Sequence, residues 1–177
     1  MKVKYLQILL LVSFLLFSLT YSKQATAKTT TPLELKAVLI YKIGAYLRSR
    51  NSPTIKDYCF VGEKGKVLAD LLIAMVKSRE LQNTINVTTE SSLEKFGTRQ
   101  CHILYVADIP KDMEQKLVSL SQSTLTIVGD VSQLKKGGIV SIEVQGRKST
   151  LYTSLSNLKN SDIEIHSRLL SIMTNVD

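Results

Sequence analysis

The residues with the most obvious chemistry are Cys59 and Cys101, the only two cysteines of the chain. They do not form a C-x-x-C redox pair, and with His102 and His166 as the only histidines a metal site would be short of ligands. They can bond to each other if the chain reaches an oxidising compartment; the alternative is two separate buried thiols. A bond between them would contribute about 4 kcal/mol in the chain-entropy account, less any strain. His102 opens an apolar run and His166 lies at the margin of an apolar stripe. No acid or nucleophile is tied to either by spacing, so both read as structural. Asp57, Asp130 and Glu143 are carboxylates that could meet at a sheet edge, which sequence alone leaves open. Gly62-Glu63-Lys64-Gly65-Lys66-Val67 has glycines and lysines suited to cradling phosphate, but the spacing is wrong and Val67 stands where Ser or Thr is needed. An ordinary strand-to-helix turn is the better reading. There is no G-x-S-x-G, H-E-x-x-H or G-x-G-x-x-G. The expectation is no catalytic, cofactor or metal residue, and no enzyme. Asn86-Val87-Thr88 fits a glycosylation sequon, but inside a strand it reads as coincidence.

The amino terminus bears on whether the cysteines can bond. Lys2 and Lys4 precede an apolar stretch from Tyr5 to Leu19, interrupted by Gln7, Ser13 and Ser18, and Ala25-Thr26-Ala27 follows as an A-x-A site. This is the pattern of a secretory signal peptide over residues 1–27 with cleavage after Ala27. An uncleaved membrane anchor is the alternative, but the apolar stretch is at the short end of the range for spanning a bilayer. Export would remove Lys2, Lys4 and Lys23, leaving 150 residues with 20 basic against 15 acidic side chains, a net charge of +5. That is one ordinary domain. Lys135-Lys136 and Arg147-Lys148 are only pairs, with no aromatic interleaving, so no nucleic-acid partner is expected. A modest excess of this kind serves solubility or contact with an anionic surface or acidic partner.

Residues 28–32 form a polar leader expected to be disordered, and residues 33–177 a single domain. Leu33 to Leu47 has helical spacing (Ala37, Ile40, Tyr41, Ile43, Leu47) after Pro32, and is apolar on nearly all sides. Such a helix is deeply covered or turns a second apolar face to a partner. Tyr58 to Gly62 predicts a first strand, Lys64 to Arg79 a helix with Val67, Leu68, Leu71, Leu72 and Met75 on one stripe, and Thr84 to Thr88 a second strand. After a polar segment with a helical turn at Leu93 to Phe96, Cys101 to Ala107 predicts a third strand buried on both faces. Lys111 to Ser121 then predicts a helix with Asp108 as its N-cap, and Thr124 to Val128 a fourth strand. Two βαβ units imply parallel strands with right-handed crossovers. Ile139 to Val144, a turn at Gln145-Gly146, and Lys148 to Thr153 predict an antiparallel hairpin at one edge. Ser161-Asp162-Ile163-Glu164 reads as a capping box for a final helix from Asp162 to Met173, with Ile165, Leu169, Ile172 and Met173 buried. The fold class is α/β: a three-layer, mostly parallel sheet of order 2-1-3-4 with a C-terminal antiparallel hairpin and a final helix. In that order strands 1 and 3 are neighbours. Cys59 and Cys101 would then sit at the same end of adjacent strands, within bridging reach.

Several segments together resemble the YfiR family of periplasmic proteins. They are Ala37-Val38-Leu39-Ile40-Tyr41-Lys42-Ile43, Tyr58-Cys59-Phe60-Val61-Gly62, Cys101-His102-Ile103-Leu104-Tyr105-Val106, Leu125-Thr126-Ile127-Val128-Gly129-Asp130, Gly137-Gly138-Ile139-Val140 and Ile165-His166-Ser167-Arg168-Leu169-Leu170. The chain departs from the family pattern where Arg48-Ser49-Arg50-Asn51 follows the early helix, and where Ser154 replaces a common Asn. The resemblance implies a periplasmic repressor that binds the periplasmic part of an inner-membrane diguanylate cyclase and so controls cyclic di-GMP and biofilm formation. It also implies an outer-membrane lipoprotein as a second partner, a homodimer, and a Cys59–Cys101 bridge that keeps the repressor competent. The rival reading is a periplasmic small-molecule-binding protein, or an enzyme, using the carboxyl end of the sheet near Gly62 and Asp108. A third is an adaptor for another membrane sensor.

Overall fold

The computed structural model describes residues 30–48, 56–96 and 101–177. The expected signal peptide, its cleavage after Ala27 and residues 28 and 29 of the leader lie outside them. Thr31 and Pro32, read above as the end of that leader, instead start the first helix, α1 (Pro32–Ala45). The Thr31 hydroxyl accepts the Glu34 amide at 3.2 Å and the Glu34 carboxylate accepts the Thr31 amide at 2.8 Å. This reciprocal pair satisfies amides that have no partner in a first turn. The helix stops two residues before the expected Leu47, because Leu47–Arg48 (β1) pairs antiparallel with Glu164–Ile165.

The chain then runs through β2 (Lys56–Val61), α2 (Gly62–Ser78), β3 (Ile85–Glu90), β4 (Ile103–Val106), α3 (Glu114–Ser121), β5 (Leu125–Val128), β6 (Val140–Gln145) and β7 (Lys148–Thr153). It ends in α4 (Leu155–Lys159), β8 (Glu164–Ile165), α5 (Ser167–Leu170) and β9 (Thr174–Asn175). The main sheet has the order β3-β2-β4-β5-β6-β7-β9. Its first four strands are parallel and reproduce the expected order 2-1-3-4, and β6-β7 is the expected antiparallel hairpin. Unforeseen is β9, which adds parallel to β7.

Because β3 lies on one side of β2 and β5 on the opposite side of β4, right-handed crossovers place α2 and α3 on opposite faces. On one face Ala37, Ile40 and Ile43 of α1 and Leu68, Ala69 and Leu72 of α2 pack on Tyr58, Phe60, Ile103 and Tyr105. On the other, Leu117 of α3 joins Leu93, Phe96, Ile109 and Leu134 over Cys59, Val61, Leu104 and Val106. Odd and even residues of β2 and β4 thus serve different layers, which is why both strands read as continuous apolar runs. The buried stripe of α2 is rotated from the expected one: Leu68, Ala69, Leu72 and Val76 are inside, and Val67 is 46% exposed.

Two expectations fail. Asp108 is not the N-cap of a helix; Pro110 precedes a 3-10 turn, Lys111–Met113, and α3 begins only at Glu114. The single final helix does not form. Ser161 does not cap it, since its hydroxyl accepts the Ile163 amide and donates to the Leu158 carbonyl. Glu164 and Ile165 are drawn into pairing with β1, the His166 amide bonds the Tyr46 carbonyl, and only Ser167–Leu170 coil into α5. Of the expected stripe Ile165 and Leu169 are buried, Met173 is half-buried and Ile172 is 67% exposed. Strand pairing satisfies the backbone and buries Ile165 at once, which a weak local helix signal cannot match.

Gly44 closes the seam between α1 and the sheet. A Cβ there would fall on the Tyr58 hydroxyl and within 2.6 Å of Ile103 Cδ1, both fully packed. We expect Gly44→Ala to lower unfolding stability by about 1–3 kcal/mol through overpacking, and Tyr58→Phe to recover part of that loss, read from urea midpoints at unchanged m-value.

Candidate functional site

Three places concentrate chemistry. The first is the Cys59–Cys101 bond, with a Cα–Cα distance of 5.9 Å. Cys59 is not at the start of its strand, which begins three residues earlier at Lys56, and it lies directly opposite Leu104. The bridge therefore runs diagonally, back to the residue that precedes β4, and both cysteines are buried on the α3 face. The Thr124 hydroxyl donates to the Cys101 carbonyl at 2.9 Å, tying β5 to the same spot.

The second is at the same, amino end of the sheet. The Asp57 amide donates to His102 Nδ1 at 3.0 Å. Asp57 Oδ2 also approaches the same nitrogen to 3.3 Å. Asp57 also accepts from Asn86 Nδ2 at 3.0 Å. His102 splices the ends of β2 and β4, in keeping with its structural reading. His166 Nδ1 accepts the Arg168 amide at 3.1 Å and caps α5. Of the three carboxylates considered together, Asp57 is at the amino end, while Asp130 and Glu143 both act electrostatically on Lys36; they do not converge as a trio.

The third is the carboxyl end of the parallel strands. The crossovers leave β2 and β4 in opposite directions, so the sheet opens there at a topological switch point. Gly62, with φ +73°, takes β2 into α2 without an intervening loop, and Gly65 packs on Phe60. No phosphate loop separates strand from helix. A cavity of about 410 Å³ lies between the turns at Gly62, Ser91 and Asp108. Beside it is a second of about 450 Å³, bounded by Leu33 and Lys36 of α1, Val67 of α2, Tyr105, Asp130 and Val144. Lys64 Nζ and Asp108 Oδ2, 2.8 Å apart and well exposed, border both.

The groups around the larger cavity are unequal. Lys36 is half-buried, its ammonium 3.4 Å from the Gly129 carbonyl and 6.0 Å from the centre of the Tyr105 ring. Burial holds its pKa below the usual 10.5, and Glu143 and Asp130 offset that in part. Tyr105 is only 3% exposed, and burial, with Asp108 adding to it, pushes its phenol up to about 12. That phenol has no hydrogen-bond partner among the described residues. Asp130 is exposed; the Ser132 side chain, and with it the Ser132 amide 2.7 Å from its Oδ1, hold its carboxyl below the ordinary range. The sequence reading placed a site near Gly62 and Asp108 but missed Lys36 and Tyr105. Lys36 looked like a break in an apolar helix and Tyr105 like core, and only the packing of α1 over β4 brings them together.

The YfiR/HmsC-like family model matches residues 33–173, so the chain belongs to that family. No curated protein matches. A crystal structure of a conserved domain protein from Vibrio cholerae O1 biovar El Tor is similar to it, with a TM-score of 0.54 and 15% identity. The likeness covers 83% of this chain and 60% of that one, and at this identity it concerns the fold.

Two outcomes are expected. Replacing both Cys59 and Cys101 by Ala lowers stability by about 4 kcal/mol, less any strain released, as does reduction of the parent, both read by denaturant unfolding. Lys36→Met keeps the apolar stem and removes the burial penalty of the charge, so it should raise the melting temperature at pH 7. Since the folded-state pKa is the lower one, the penalty is full below it and fades as pH rises through it towards 10.5, where the two proteins should converge.

Proposed function

We propose that this chain is a periplasmic regulatory protein that binds the periplasmic part of an inner-membrane diguanylate cyclase and holds it inactive. The observation that carries the reading is the family match, which extends over residues 33–173, nearly the whole described domain. The family is regulatory rather than catalytic. A disulfide between buried cysteines suits an oxidising compartment such as the periplasm. Among the described residues no helix is long and apolar enough to cross a membrane, and the signal peptide of residues 1–27 belongs to the same reading.

In this account the protein works through contact rather than turnover. Its surface keeps apolar side chains exposed at Leu33, Val67, Ile73, Val118 and Ile172, of which Leu33 and Val67 flank one opening at the carboxyl end of the sheet. A homodimer, and an outer-membrane lipoprotein that sequesters the repressor, complete the proposal. The disulfide keeps the domain competent to bind, because it ties β2 to the entry of β4 and so fixes the sheet on which both helical layers rest.

Deleting the gene should raise cellular cyclic di-GMP and biofilm mass, and the exported wild type should restore both. A Cys59→Ala/Cys101→Ala protein present at equal level should restore them less well. Cyclic di-GMP that does not change on deletion would refute the proposal.

A further inference from the structure

We infer that the cavity between α1, α2 and the carboxyl ends of β4 and β5 binds a small amphipathic monocarboxylate, its carboxylate held by Lys36 and Tyr105. This goes beyond the regulatory reading and does not rest on it.

The argument starts from donors left unused. Tyr105 is a phenol more than nine-tenths buried, lining the cavity, with no hydrogen-bond partner among the described residues. Among the described residues the buried side-chain polar atom left without a partner is Ser141 Oγ, so the Tyr105 hydroxyl is not sealed in the core but opens to the cavity it lines, where it can donate to an acceptor. Lys36, which lines the same cavity, makes one long contact to the Gly129 carbonyl, at 3.4 Å, and has further donors free. Both groups offer protons, so the matching ligand atom is an acceptor, and beside a part-buried ammonium a charged acceptor is favoured.

The other charges do not cancel this preference. Lys64 and Asp108 neutralise each other at 2.8 Å. Asp130 is exposed at the rim, where water screens it, and one of its oxygens is occupied by the Ser132 amide. Asp130 and Glu143 counter the burial of Lys36 and so help keep it cationic. The remaining walls are apolar: Leu33, half exposed, Val67 and Val144. A volume of about 450 Å³ suits a small organic molecule, and the exposed side chains would cover an alkyl or aryl body whose acid end points inward.

The test is calorimetric titration of the purified, oxidised protein with octanoate, octan-1-ol and octylamine. Octanoate should bind saturably at one site, with the alcohol and the amine at least tenfold weaker. Losing a hydrogen bond to a charged group should weaken octanoate about tenfold or more in Lys36→Met and about threefold to tenfold in Tyr105→Phe. The distant, exposed Lys159→Met should bind as the wild type does. Circular dichroism checks that each variant is folded, and Lys36→Gln replaces Lys36→Met if the latter is not. Chemical-shift mapping on the unaltered protein needs no variant: octanoate should move the amides of Ala107 and Gly129 most. No saturable binding, equal binding of the alcohol, preference for the amine, an unchanged Lys36 variant, or shifts centred elsewhere would each overturn the inference.

Discussion

The side-by-side parallel pairing of β2 and β4 carries the rest of the molecule. Register sets Tyr58 against Ile103 and Val61 against Val106, and burial on both faces makes a slip of one residue expensive. From that seam the chain leaves to opposite sides, to β3 and to β5, and handedness alone then puts α2 above the sheet and α3 below it. The Cys59–Cys101 bond and the Asp57 amide to His102 contact hold the seam at its amino end. At the carboxyl end Lys64 and Asp108 form an exposed ion pair at 2.8 Å. One end is therefore closed by a disulfide and a part-buried hydrogen bond, and the other is left open.

That asymmetry leaves one end of the sheet open to solvent. Parallel strands end together, and the turns that follow them must diverge to reach opposite faces, so a gap opens at the switch point whether or not it is used. Here the gap contains a part-buried lysine held against its own desolvation and a tyrosine whose hydroxyl opens into it. Stability alone would favour an apolar side chain at position 36, since it would pack the same stem without the charge. A domain that keeps a charge where it is disfavoured gives up some stability for something other than folding. The regulatory reading and the carboxylate site share Leu33 and Val67 at the rim, while Lys36 and Tyr105 beneath them serve the ligand alone.

Much of the fold is legible in the residues because local and global preferences agree in the βαβ units. Apolar runs at Tyr58–Val61, Ile103–Val106 and Leu125–Val128, separated by amphipathic helices, admit few topologies once connections are parallel and right-handed. The carboxyl-terminal region is different. Its segments are short and their local signals weak, so distant partners decide: β1 claims Glu164 and Ile165, β7 claims Thr174 and Asn175, and Asp177 reaches Ser154 and Ser156 to brace α4. A helical period over Asp162 to Met173 survives only in Ser167–Leu170, because Glu164, Ile165 and the His166 amide find partners in β1 and at Tyr46.

The sequence by itself determined the order of the first four strands, the edge hairpin, the two helical layers and the proximity of the two cysteine-bearing segments, since alternating burial and chain handedness depend on residue type and spacing alone. Tertiary structure decided which residues share the carboxyl-end cavity and how the last segments pair. Those depend on elements remote in the chain meeting in space: Lys36 from the first helix beside Tyr105 from a central strand, and Leu47 opposite Ile165. No local pattern encodes such a meeting, because what favours it is the surface each element finds only after the sheet has formed.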